Sequence, residues 1–178
     1  MRVRLAALGL ATVLLAAACG GSSGKGEPSP PPGPKLPRPG KFLAVDAAAH
    51  RVTVTLIASF DGANGGYNFD GYSRELLFTV PLGWTVDVVC TNRGAIFHSC
   101  AVVRGAGTTR LAFPGASTPD PETGIAAGRT ARFSFRASRV GHYRFTCLVP
   151  GHEEAAMWDV LDVSRGGKPS ATSLLASA

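Results

Sequence analysis

The sequence predicts an all-β fold, an antiparallel Greek-key β-sandwich of about eight strands, and three observations carry that expectation. Apolar and polar residues alternate in Val52-Thr53-Val54-Thr55-Leu56 and again in Arg132-Phe133-Ser134-Phe135-Arg136, the two-residue period of a half-buried strand. Gly, Pro, Asn and Asp punctuate the chain between such runs. No segment sustains a helical period with a cap at each end. Short strands set apart by turn residues pack as two sheets.

The chain has 178 residues, room for one domain with tails. Met1-Arg2-Val3-Arg4 is a basic start, and the apolar run from Leu5 to Ala18 is short for a membrane span but suits an export signal. It ends in Leu15-Ala16-Ala17-Ala18-Cys19-Gly20, small residues before a cysteine, as in a bacterial lipobox. Residues 1–18 are therefore expected to be a lipoprotein signal, with Cys19 the lipidated first residue of the mature chain. The alternative is an ordinary export signal cleaved nearby. Residues 19–40 are rich in Gly, Ser and Pro, including Pro28-Ser29-Pro30-Pro31-Pro32, and read as a semi-stiff tether. The expected location is the outer face of the cytoplasmic membrane or the periplasmic side.

The folded domain is expected over 41–165, with strands at 42–45, 51–58, 75–80, 85–91, 99–104, 130–137, 142–147 and 158–163. Residues 61–66 form a turn-rich loop. The long connection 105–128 carries Pro114, Pro119 and Pro121, which argue against a helix. Residues 166–178 are small and expected to fray.

The net charge is +6, and Arg2 and Arg4 of the leader contribute two of those charges. Arg132, Arg136 and Arg144 fall on polar strand positions, a solvated sheet face rather than a nucleic-acid surface. A modest attraction to acidic partners or anionic lipid follows from the sign. Neither a phosphate-cradling glycine motif nor a Ser-His-Asp order occurs.

The chemistry concentrates in one stretch. Tyr143 and Phe145 alternate with Arg144 and Thr146, a strand that delivers Cys147 to its end. Pro150-Gly151 then makes a tight loop, and Met157 opens the next strand. Cys147, His152 and Met157 are each separated from the next by four intervening residues, so one short loop offers a thiol, an imidazole and a thioether. Hard cations want oxygen ligands, and structural zinc takes four strong Cys or His donors. One thiolate, imidazole nitrogen and a weak thioether suit copper cycling between two oxidation states, provided a second imidazole joins them. His50 opens an early strand, and His142 is too near Cys147 along an extended strand to share its ion. His98, in a turn-rich segment closing on a new strand, completes the set His98, Cys147, His152 and Met157.

These residues, together with Asn68-Phe69-Asp70-Gly71-Tyr72-Ser73, Val80-Pro81-Leu82-Gly83-Trp84 and Thr91-Asn92, make the chain resemble a cupredoxin. It is most similar to the sulfocyanin group and more distantly to rusticyanin. The resemblance covers roughly residues 41–165. It implies a cupredoxin-type sandwich holding one type 1 copper, and outer-sphere electron transfer rather than enzymatic turnover. Redox protein partners follow: a respiratory donor, and a terminal oxidase or similar acceptor. The domain is expected to act as a monomer.

In that arrangement Cys90 and Cys100 lie on strands of opposite sheets and point inward. In an oxidising compartment they form a disulfide, or else remain two buried thiols. Ser99 is placed to hydrogen-bond to the Cys147 loop and steady the site. Phe97, Pro150 and Gly151, with Ile96, Pro114, Leu148, Val149, Ala155 and Ala156, are expected to make an apolar docking face around the His152 edge. Two rival functions have their own signatures. A copper carrier or storage protein relies on Met- or Cys-rich clusters, whereas this chain has 2 Met. A copper oxidase, or a role as its accessory subunit, draws on further copper sites, and the chain has 4 His.

Overall fold

A computed structural model describes residues 36–177. The leader, the lipobox cysteine Cys19 and the tether to residue 35 lie outside the described residues. Nine strands form two sheets among them: β1 (Leu43–Asp46), β2 (Arg51–Ala58), β3 (Leu76–Pro81), β4 (Thr85–Asn92), β5 (Ala101–Val103), β6 (Thr130–Arg136), β7 (Gly141–Thr146), β8 (Trp158–Ser164) and β9 (Ser170–Ser173). One sheet runs β1-β2-β4-β6 and the other β5-β7-β8-β3-β9.

Alternation decides which side chains meet. Val52, Val54, Leu56 and Ala58 of β2 are wholly buried, as are Leu76, Phe78 and Val80 of β3 and Leu161 and Val163 of β8. Phe78 of β3 meets Phe145 of β7 edge-to-face on the inner face of the second sheet, with centroids 5.5 Å apart. Each such Val, Leu or Phe side chain contributes about 1.5–3 kcal/mol through burial.

The all-β sandwich holds, but the expected purely antiparallel pairing does not. β2 pairs with β4 in parallel, and β3 with β8 in parallel. The chain crosses from β2 to β3 in the other sheet before returning to β4, so β4 comes back in the same direction as β2. Alternation looks the same in either direction, and strand polarity is therefore invisible in it.

Two edges of the domain also differ from expectation. The segment expected to fray contains β9, which pairs antiparallel to β3 through Leu76↔Ser173 and Phe78↔Ala171. Its small residues carry no apolar alternation; backbone pairing recruits them, and Ala171 packs against the core. At the other end, the Tyr72 hydroxyl donates to the Pro37 carbonyl at 2.6 Å, so chain upstream of Lys41 packs on the domain. The long connection is indeed non-helical. It lies along β5 through Ala112 N–H to Val102 O (2.8 Å) and Thr118 N–H to Cys100 O (2.9 Å).

Candidate metal centre

Cys147 follows the last residue of β7, and its N–H donates to Met157 O (3.2 Å) just before β8 begins. The β7–β8 pair thus clamps the loop that runs between them. Within it His152 N–H bonds Val149 O (3.1 Å), and Met157 N–H bonds His152 O (3.0 Å). Pro150 and Gly151 take the exposed corner, and Gly151 has a φ of 84°, open to glycine without strain. Met157 is fully buried.

His98 arrives from the opposite direction. Its N–H and C=O exchange hydrogen bonds with Ile125 (3.2 and 2.7 Å). Asn92, at the end of β4, shapes the preceding turn: its amide donates to Ile96 O and Ile125 O, and its oxygen accepts from Gly94 N–H. Gly94 must lack a Cβ, because one there would stand 2.8 Å from Ser59 Cβ and 3.0 Å from His98 Nε2.

The result brings the His98, Cys147 and His152 donor atoms within 4.8 Å of one another. Cys147 Sγ lies 3.3 Å from His152 Nδ1, and the two imidazole centroids are 4.9 Å apart. His98 is 0% exposed, and neither of its ring nitrogens has a hydrogen-bond partner. A buried imidazole with both nitrogens unpaired is costly unless something else takes a lone pair. Burial, followed by the neighbouring His152, pushes the His98 pKa down to about 4; burial also lowers that of His152. Both rings are then neutral and free to ligate at neutral pH. Burial raises the Cys147 thiol, opposed by hydrogen bonds from Ser99. This donor set, two neutral imidazoles and a thiol beside a buried thioether, fits copper.

Ser99 touches the site twice. Its N–H donates to Cys147 Sγ (3.2 Å), and its hydroxyl lies 3.6 Å from the same sulfur. That hydroxyl also accepts Leu148 N–H (2.9 Å), which leaves its hydrogen free for the sulfur.

The other two histidines stay away: His50 packs on Trp84 at 5.3 Å, and His142 pairs with Asp162 at 3.1 Å. Cys90 and Cys100 are joined across the two sheets, with Cα atoms 6.1 Å apart. Ile96 and Phe97 are 48% and 52% exposed, on the loop that delivers His98. Pro114 does not join them: a Cβ on the next residue, Gly115, would stand 3.5 Å from the Ser134 carbonyl of β6. Two residues beyond the sequence reading belong here. Tyr67 stands edge-on to His152 with centroids 4.9 Å apart, and the Arg144 guanidinium bonds Glu153 (2.7 Å) while covering Trp158. Tyr67 carries no local signal because its contact is made across the fold, whereas Arg144 and Glu153 are 9 residues apart on β7 and the loop that follows it.

The model of the sulfocyanin (SoxE) domain family matches residues 39–169. The chain belongs to that family. Sulfocyanin-domain proteins are cupredoxins, and this one is a blue copper protein with His98, Cys147, His152 and Met157 arranged as a type 1 site.

A copper-resistant cuproprotein, CopI of Rubrivivax gelatinosus, is 33% identical over 85 residues, 44% of this chain and 52% of the relative. The chain thus spans about half the length of the curated relative it matches. Among solved structures, rusticyanin variants align with a TM-score of 0.52 at 18% identity, covering 69% of this chain and 86% of theirs, a likeness of fold. Auracyanin from Roseiflexus castenholzii aligns with a TM-score of 0.48 at 24% identity, covering 63% and 96%.

Proposed function

We propose that this protein is an exported, lipid-anchored one-electron carrier that links a respiratory donor to a terminal oxidase or similar acceptor. The observation that carries the reading is a buried donor set with an exposed apolar rim. His98 is sealed, His152 is 6% exposed, and Ile96, Phe97, Pro150 and Gly151 stand open beside them. Copper bound there supplies a one-electron couple between its cuprous and cupric forms.

The residues around it do the rest. Backbone bonds at Cys147, His152 and Met157 hold the loop, and the Ile125 pairing holds His98, so the donors keep their places when charge changes. Ser99 donates to the Cys147 sulfur and stabilises its thiolate. The apolar rim lets a partner approach without charge pairs that would slow its release. Export and the Cys19 anchor would keep the domain at the membrane where such partners sit.

A second reading, copper handling as a carrier or accessory subunit, is favoured by the likeness to a copper-resistant cuproprotein. One experiment separates them. Copper(II) added to the metal-free protein is expected to give an intense visible thiolate charge-transfer band and a reversible one-electron wave. Cys147→Ser should abolish the band, whereas His50→Ala and His142→Ala should retain it. Copper binding without band or wave would favour handling over electron transfer.

A further inference from the structure

Neither ligand imidazole offers a partner much of its own surface, since His98 is 0% and His152 6% exposed. Beside them runs the loop 59–67. Tyr67 at its end stands edge-on to both rings, its centroid 4.9 Å from His152 and 6.5 Å from His98, with interplanar angles of 80° and 76°. Tyr67 is itself only partly buried. With Gly65, Gly66, Ile96 and His98 it lines a surface groove of about 520 Å³. The ring therefore reaches from the imidazoles to the solvent-facing side, in the same groove as exposed Ile96, which Phe97 follows in the chain.

Its placement is held, not incidental. The Asn64 amide donates to Tyr67 O and to Ala155 O, both at 2.7 Å, tying the base of Tyr67 to the loop that carries His152. Ser73 Oγ also donates to Tyr67 O (3.1 Å). Asn64 sits at a φ of 48°, a left-handed conformation that asparagine tolerates better than most residues.

We infer that Tyr67 is a positioning residue for electron transfer, its aromatic ring forming the electronic contact between the two ligand imidazoles and a one-electron partner docked on the Ile96–Phe97 side. This rests on the carrier reading above. The ring acts as a closed-shell bridge: one electron passes between metal site and partner, and Tyr67 neither loses a proton nor becomes oxidised. The π-system and its edge-on geometry matter, and the hydroxyl does not.

The test compares Tyr67→Phe and Tyr67→Leu in the full-length protein. Electron self-exchange is read from NMR line broadening in mixtures of the cuprous and cupric forms. Removing the ring in Tyr67→Leu should slow exchange by roughly an order of magnitude, while Tyr67→Phe stays near wild type, because only Leu breaks the aromatic contact. Both variants should keep the visible band and the wild-type potential. In the metal-free wild type, nuclear Overhauser contacts should join the Tyr67 ring to both imidazoles. Exchange at the wild-type rate in Tyr67→Leu overturns the inference, as does equal slowing in Tyr67→Phe. Loss of the band in Tyr67→Leu, or missing Overhauser contacts, also overturns it and leaves Tyr67 a packing residue. A wild type with no reversible wave removes the carrier reading itself, and this inference with it.

Discussion

Replacing Ser99 by Ala removes one hydroxyl that serves two partners, and the two consequences separate by assay. The first is structural. Leu148 N–H, buried and bonded to Ser99 Oγ at 2.9 Å, loses its acceptor. An unsatisfied buried N–H costs about 1–3 kcal/mol. At about 4 °C of Tm per kcal/mol for a domain of this size, the thermal midpoint should fall by roughly 4–12 °C. The second consequence is electronic. The hydroxyl hydrogen lies toward Cys147 Sγ at 3.6 Å, while Ser99 N–H, at 3.2 Å, is unaffected by the substitution. A donor to sulfur withdraws density from the thiolate, and the oxidised site depends on that density more. Losing a long, weak donor worth about 1 kcal/mol should therefore lower the potential by roughly 40 mV, given 59 mV per tenfold change. Voltammetry reads the potential and calorimetry reads Tm, both on copper-loaded protein that still shows its visible band. A fall in Tm with an unmoved or raised potential would mean that Ser99 only supports Leu148, and that the thiolate argument is wrong.

Met157→Gln offers a harder oxygen donor and should lower the potential, whereas Met157→Leu removes the weak donor and should raise it; shifts of the same sign in voltammetry would take Met157 out of the site. Cys90→Ser opens a link with a sequence separation of 10. The loss should be about 2–3 kcal/mol in denaturant titration, with the blue band retained. Asp70→Asn should stabilise the protein at neutral pH. Burial raises the Asp70 carboxyl well above 3.8, so the folded chain holds a proton that the unfolded chain has released, and stability drains away as pH rises from about 3.8 through the folded value. Asn keeps the acceptor for Ile57 N–H (2.9 Å), so the gain should appear in that window and vanish at lower pH; a gain independent of pH would refute the assignment.

Legibility in the sequence followed the range of the physics. β2 matches the expected bounds of 51–58 because its alternation is local and one face is buried without interruption. The Cys147–His152–Met157 loop was legible for the same reason: one turn between two strands brings its donors together whatever the rest of the chain does. His98 was reached through donor chemistry and the turn before it. β9 was not, since Ser170, Ala171, Thr172 and Ser173 bring no apolar pattern to mark their pairing with β3. Tyr67 and Asn64 were equally silent. They lie in a glycine-rich loop that reads as solvent-exposed, and their contacts to the site are made far along the chain, as in the Asn64–Ala155 bond with its separation of 91.

That long-range loop also bears on the choice between carrying electrons and carrying copper. A protein that hands its metal on needs donors that can open one at a time. Here every donor is tied in place: His98 through Ile125 and Asn92, Cys147 through Ser99 and Met157, His152 through Val149 with Tyr67 against its ring. Releasing one means breaking bonds that also hold its neighbours, since Cys147 N–H bonds Met157 O and Met157 N–H bonds His152 O, and the local opening is correspondingly expensive. The metal-free donors are also neutral at pH 7, because burial lowers both imidazoles and raises the thiol, so no charge repulsion forces the site apart when empty. A cluster that keeps its geometry with or without its ion has little rearrangement to make when one electron is gained or lost. Rigid ties slow the exchange of metal and ease the exchange of electrons, and the ties in this domain all act in that direction.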